Sequence, residues 1–170
     1  MSATSKLRYV DPLRRRGRLY RAWARFTASP FGLWLSRKIG WKVDPVLLRL
    51  TGGRLGTGLA LPTALLETRG ARSGRTRRNG VIYFHDGERV TIIASKAGAP
   101  EHPAWFHNIK AHPGGVRLNG RPFRTEIIED EAARSRLWAF ADNVFPAFAS
   151  YRESAARSGR AIPIVQLLPR

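Results

Sequence analysis

The stretch Arg77-Arg78-Asn79-Gly80-Val81-Ile82-Tyr83-Phe84-His85-Asp86-Gly87-Glu88-Arg89-Val90-Thr91-Ile92-Ile93-Ala94-Ser95-Lys96 decides the fold. It consists of two runs of β-branched and aromatic residues divided by Asp86-Gly87, a dipeptide that favours a two-residue hairpin turn. Working outward, strands are expected at residues 64–68, 77–85, 89–96, 116–119, 123–128 and 162–168, and Asn119-Gly120 predicts a second tight hairpin. Helices are expected at 103–111, from Asp130 onward with Leu137, Trp138 and Ala141 as its apolar stripe, and as a short turn or helix after Pro146. Six antiparallel strands with helices inserted between them remove their exposed edges best by closing. The fold class is therefore mainly β with helices (α+β), a six-stranded antiparallel barrel preceded by N-terminal helices.

Those helices are read from Asp11-Pro12, Ser29-Pro30 and Asp44-Pro45, each a capping side chain followed by proline, with Gly40 and Gly52-Gly53 as stops for the second and third. The first carries Leu19, Trp23 and Phe26 at helical spacing among Arg14, Arg15, Arg18, Arg21 and Arg25, a basic amphipathic pattern suited to packing on the barrel or lying on an anionic membrane surface. The chain, 170 residues long, is the size of one domain and divides into a basic helical region, residues 1–54, and the barrel, residues 55–170.

A formal charge of +18 calls for an anionic partner: nucleic acid, an acidic membrane face or a phosphorylated cofactor. The absence of cysteine excludes disulfides, thiolate metal sites and a cysteine nucleophile. His102, His107 and His112 recur every five residues, which spreads them around a helix axis, so no metal site is expected. No uncharged apolar run approaches the roughly eighteen residues of a spanning helix. A cytoplasmic address follows, with the N-terminal region a candidate for the inner face of the cell membrane.

Two segments carry the chemistry. Thr68-Arg69-Gly70-Ala71-Arg72-Ser73-Gly74-Arg75-Thr76-Arg77-Arg78 joins two strands and combines glycine with guanidiniums and hydroxyls, the composition of an anion cradle. Ser95-Lys96-Ala97-Gly98-Ala99-Pro100-Glu101-His102-Pro103-Ala104-Trp105-Phe106-His107-Asn108 continues from the third strand and turns into a helix, whose N-terminus is electropositive.

Together these segments resemble the deazaflavin-dependent (coenzyme F420) nitroreductase and quinone reductase family, whose hallmark is a Thr-Gly-Arg-Lys-Ser-Gly-type loop followed by Ala-Ser-Lys-Gly-Gly and Pro-x-Trp-Tyr. The similarity continues through Thr51-Gly52-Gly53 and Ile162-Pro163-Ile164-Val165, and spans roughly residues 44–170. The resemblance implies a split β-barrel that holds F420 and passes its hydride to an electron-poor acceptor, a quinone first and nitroaromatics second. It assigns Arg72, Ser73, Gly74, Arg75 and Arg77 to the cofactor's phosphate and oligoglutamate tail, Ser95, Lys96, Ala97 and Gly98 to its ring and linker, and Trp105 to a place beside it. Phe145-Pro146-Ala147-Phe148-Ala149-Ser150-Tyr151 is similar to the family's substrate-capping segment, which makes Tyr151, with Ser95, a catalytic candidate. Arg72 stands where the family often has lysine, Ala97 replaces the first of two glycines, and Phe148 occupies the place of a tyrosine. Two other readings stay open at the level of sequence: an FMN-binding reductase of the same fold, and a non-enzymatic basic nucleic-acid binder.

Overall fold

The computed structural model describes residues 7–29 and 61–170. The expected second and third N-terminal helices, their glycine stops and the division between residues 54 and 55 lie outside the described residues. The order is α1 (Arg18–Ala28), β1 (Thr63–Arg69), β2 (Thr76–Asp86), β3 (Arg89–Ile93), a 3-10 turn (Lys96–Gly98), α2 (Ala104–Ala111), β4 (Val116–Leu118), β5 (Arg121–Ile127), α3 (Glu131–Val144), α4 (Ala147–Ala156) and β6 (Ile164–Pro169).

The strands close in the order β1-β2-β3-β6-β5-β4, every neighbouring pair antiparallel. Leu66, Ile92, Leu118 and Leu167 share one face of the sheet, Phe84 and Ile164 lie on the other, and all six are fully buried; each such side chain contributes about 1.5–3 kcal/mol by leaving water. The Asn119-Gly120 turn forms as expected: Leu118 pairs with Arg121, and both turn residues have positive φ, +47° and +80°, as a type I′ turn requires. The other hairpin turns one residue later than its sequence implied. Asp86 pairs with Arg89, so the loop is Gly87-Glu88 with glycine first at φ +62°, the position that a type II′ turn reserves for it. The third strand also stops short of residue 96, because Lys96 and Ala97 adopt left-handed φ of +48° and +50°, which no strand tolerates.

At the helices, Asp130 caps α3 by accepting the amide of Ala133 at 2.8 Å. Leu137, Ala141 and Val144 form its buried stripe, with Trp138 half-buried beside them. After Pro146 the chain forms the helix of the two expected alternatives, α4, 10 residues long.

The first helix begins at Arg18, not after Pro12. Asp11 Oδ1 instead accepts the amide of Leu13 at 2.8 Å, a local turn, because the residues before it are committed to the barrel. β1 starts opposite Ile82, so the last part of β2 has no β1 partner, and an uncovered strand edge is a liability. The N-terminal segment covers it: His85 N–H donates to the Val10 carbonyl at 2.9 Å and Val10 N–H to His85 Nδ1 at 3.1 Å. α1 then buries Ala24 and donates the Tyr20 hydroxyl to the Val144 carbonyl at 2.6 Å. Leu19 and Phe26, from the expected apolar stripe, stay 88% and 47% exposed.

Candidate functional site

Loop 70–75 joins β1 to β2. Gly70 N–H donates to the Arg75 carbonyl and Gly74 N–H to the Gly70 carbonyl, both at 2.8 Å, while Ala71 N–H donates to Asn108 Oδ1 at 2.9 Å. Gly74 has φ +64°, and a Cβ at Gly70 would stand 2.7 Å from Ser73 Oγ. The glycines thus shape the loop, and their amides are engaged within it rather than left for an anion. The loop instead presents guanidinium. Arg72, Ser73, Gly74, Arg75 and Arg77 are exposed, and among the described residues no carboxylate pairs with Arg72, Arg75 or Arg77. Arg78, the next residue and therefore on the other face of the strand, is taken by Glu67 at 2.8 Å.

β1 and β3 both run antiparallel to the β2 between them, so loop 70–75 and Ser95 leave the barrel in the same direction. The two segments are bridged by α2, whose Asn108 is buried and donates from Nδ2 to Thr68 Oγ1 at 3.0 Å while holding Ala71. Asn108 closes the quoted segment 95–108, but the sequence gives it no role; a polar residue on the buried face of a short helix was the available signal.

After Ser95 the chain makes its left-handed turn through Lys96, Ala97 and Gly98, the last at φ +73°. Gly98 is glycine because a Cβ would lie 2.9 Å from the Tyr151 carbonyl oxygen and 2.8 Å from Ser154 Cβ. The turn is therefore seated on α4, and this contact brings Tyr151 beside the Ser95 segment. Lys96 Nζ bonds Glu101 at 2.9 Å, and that hydrogen bond, before any other cause, holds the Glu101 carboxyl below its ordinary range. Ser95 and Ala97 are half-buried. Trp105 is buried, edge-on to Phe106 at 6.4 Å. Tyr151 is 8% exposed and Phe148 2%, their ring centres 6.1 Å apart, with Phe145 6.0 Å from Tyr151. The segment expected to cap a substrate is thus the end of α3 and the start of α4, largely packed into the core.

A cleft of about 340 Å³ lies by the β2–β3 turn, at the other end of β3 from Ser95, and includes Asp86, Arg89, Glu126, Arg136 and Gln166 in its lining. These side chains satisfy one another: Arg136 meets Asp86 at 2.7 Å, Arg89 meets Glu126 at 3.1 Å, and Gln166 donates to Asp86 at 3.0 Å; the lining's other charges, Glu129 and Asp130, are acidic. Hydrogen bonding from Arg136 is the main reason the Asp86 carboxyl sits below its ordinary range. Unmatched positive charge lies on loop 70–75 instead.

A closed six-stranded antiparallel barrel with inserted helices, here with a guanidinium-rich first hairpin and a left-handed turn after β3, is the split-barrel fold of F420-H2 dependent reductases. Within that class, residues 42–169 match the F420H(2)-dependent quinone reductase family, and the chain belongs to it. An F420H(2)-dependent quinone reductase of Mycobacterium tuberculosis is 33% identical over 148 residues, which cover 81% of this chain and 97% of the relative. Among solved structures, an F420-H2 dependent reductase superposes with a TM-score of 0.53 at 29% identity, covering 62% of this chain and 93% of its own. A second, described as a domain-swapped dimer, superposes with a TM-score of 0.55 at 26% identity and covers 82% and 99%. The residues present fit the cofactor in the family's name, since guanidiniums that are exposed and, among the described residues, without acidic partners are donors suited to a phosphorylated, carboxylate-bearing molecule.

Proposed function

We propose that the chain binds reduced F420 between loop 70–75 and the Ser95 turn and delivers its hydride to a quinone, with nitroaromatics as a second acceptor class. One observation carries this reading: Arg72, Arg75 and Arg77, exposed and without carboxylate partners among the described residues, stand at the barrel end toward which the Ser95 segment also leads. Arg72, Ser73, Gly74, Arg75 and Arg77 would take the phosphate and tail. Ser95, Lys96, Ala97 and Gly98 would line the ring and linker, Lys96 exchanging Glu101 for the ligand, and the rim of Trp105 would close one side. When bound, the deazaflavin supplies the hydride. The chain's own work is to orient the acceptor, exclude water with Phe145, Phe148 and Trp105, and place a hydroxyl of Tyr151 or Ser95 to stabilise the acceptor oxygen as it becomes negative.

Fluorescence titration with the deazaflavin, with FMN and with duplex DNA at moderate salt tests the reading. Tight binding of the deazaflavin alone is expected. Preferential binding of FMN or of DNA overturns it in favour of the corresponding alternative.

The same chain has a surface suited to its acceptor's location. Tyr9, Leu13, Leu19 and Phe26 are 61%, 70%, 88% and 47% exposed, and they alternate with Arg14, Arg15, Arg18, Arg21 and Arg25, so the segment fits the anionic inner face of a membrane, where lipid quinones reside. Replacing Leu19 and Phe26 by serine should abolish salt-sensitive sedimentation with acidic vesicles. Equal sedimentation of both forms would leave the segment as barrel packing only.

A further inference from the structure

Arg160 lies between α4 and β6 and is 7% exposed. No carboxylate meets its guanidinium among the described residues. Nη2 donates to the carbonyls of Ala94 at 2.6 Å and Ser95 at 2.9 Å, Nη1 donates to the carbonyl of Ala99, and Nε donates to His102 Nδ1 at 3.2 Å. A planar fork with fixed donor directions thus meets acceptors on both sides of the Lys96–Gly98 turn. A buried cation with only neutral acceptors is retained where its shape is needed, since one placed for charge alone would take an acidic partner.

Between those acceptors runs the most strained backbone among the described residues. Lys96 at φ +48° and Ala97 at φ +50° are consecutive left-handed residues without glycine's freedom, and such conformations persist only where the surroundings over-determine them. α4 presses on the turn at Gly98. Arg160 holds both of its ends.

We propose that Arg160 is a positioning residue for the cofactor site: by fixing the carbonyls of Ala94, Ser95 and Ala99 it enforces the left-handed turn from which Ser95, Lys96 and Ala97 meet the deazaflavin. This rests on the reading that the turn lines that cofactor. His102 completes the clamp as an acceptor, and it accepts only when Nδ1 carries no proton. Burial, and then the positive charges of Arg160, His107 and Lys110, keep His102 below the ordinary histidine range. Glu101, bound to Lys96, is the acidic group of the segment. Protonated His102 turns a donor toward a donor, so the clamp weakens in acid.

The test compares Arg160→Lys and Arg160→Gln with the parent protein. Lysine keeps the charge but cannot span acceptors on both sides of the turn. In the ligand-free proteins, amide hydrogen exchange at residues 95–102 should quicken at least tenfold in both variants, with α3 and the β4–β5 hairpin unchanged. Deazaflavin affinity should fall at least tenfold in both, and the parent's loss of affinity between pH 7 and pH 5 should flatten. His102→Phe removes one acceptor, leaves the guanidinium, and should show the same flattening if Arg160 variants do not fold. Parent-like exchange in Arg160→Lys, faster exchange throughout the barrel, or an unaltered pH profile in the variants would overturn the proposal. A parent protein that binds no deazaflavin would defeat the functional reading, and exchange in the ligand-free variants would still decide whether Arg160 holds the turn.

Discussion

Asn108 accepts the amide of Ala71 at 2.9 Å, and through this bond α2 sets the first turn of the arginine loop. The same side chain donates to Thr68, which is 2% exposed, so truncation strands a buried hydroxyl and also frees the amide of the exposed Ala71. Asn108→Ala should lower stability by about 1–3 kcal/mol and, because the guanidiniums lose their common support, weaken deazaflavin binding roughly tenfold, equivalent to about 1.4 kcal/mol. Urea unfolding and fluorescence titration separate the two effects. Lower stability with parent affinity would mean that the loop finds its bound shape without α2.

The exposed arginines of that loop make a prediction of opposite character. Arg72→Ala and Arg77→Ala should leave the urea midpoint within experimental error, since neither side chain is buried or ion-paired, yet each should weaken deazaflavin binding about tenfold to 150-fold, the worth of one charge-assisted hydrogen bond at roughly 1.5–3 kcal/mol. Added salt should reduce the difference. Unchanged affinity in both variants removes the loop from the site.

The barrel was legible because its strands and hairpins are local statements: Asn119-Gly120 names its own turn, and β-branched runs name their strands. The displaced turn at Gly87-Glu88 shows the margin, since glycine can serve in more than one turn position. The described N-terminus departs from its sequence pattern for a non-local reason. Asp11-Pro12 is a sound helix start in isolation, but the edge of β2 beside His85 needed covering, and Val10 was drawn to it across 75 residues of sequence. Arg160 was invisible for a similar cause: it is one of 30 basic residues, and its acceptors at Ala94, Ser95 and Ala99 lie at least 61 positions away. Two segments of the site were readable from composition, while the supporting role of Asn108, which closes the second of them, and the place of Arg160 were not.

The bridge between Val10 and His85 makes the N-terminal segment sensitive to pH. His85 accepts the Val10 amide at Nδ1, lies tilted against Tyr9 at 4.6 Å and edge-on to Tyr83 at 5.8 Å, and is held below the ordinary histidine range by burial. Tyr83, pushed up to about 12 mainly by burial, keeps its bond to the Arg8 carbonyl throughout. Because the folded pKa is lowered, the unfolded chain binds the proton more readily. The stabilisation is therefore complete above the unfolded value of about 6.5 and is lost as pH falls through it toward the folded one. His102 shifts in the same direction, whereas Asp86 acts only in the carboxylate range. Unfolding by urea should show stability declining from pH 7.5 to pH 5.5, with a shallower decline in His85→Phe, which also loses about 1–3 kcal/mol at pH 7.5 by leaving the Val10 amide unbonded. An identical slope in the variant would place the titration elsewhere.

Tyr151 carries the hydroxyl proposed to take part in the chemistry itself. Its backbone seats Gly98, its ring packs against Phe145 and Phe148, and it is 8% exposed, so a substitution that removed the ring would disturb the Lys96–Gly98 turn and the core together. Tyr151→Phe avoids this by keeping the ring and deleting only the hydroxyl. Phe148, one helical turn earlier, cannot donate a hydrogen bond, which leaves Tyr151 as the phenol of this segment and the proposed donor to a substrate, while Ser95 and Ser154 are hydroxyl-bearing residues at the turn. If the phenol stabilises the acceptor oxygen as charge develops, turnover on quinones should fall about ten- to a thousandfold, while deazaflavin affinity stays near that of the parent, because an interaction made only in the transition state leaves ground-state binding untouched. Ser95→Ala measured alongside assigns any remaining donor. Parent turnover in Tyr151→Phe on several quinones would reduce Tyr151 to a packing residue that positions Gly98, and a large fall in Ser95→Ala would then move the proton donor to the turn.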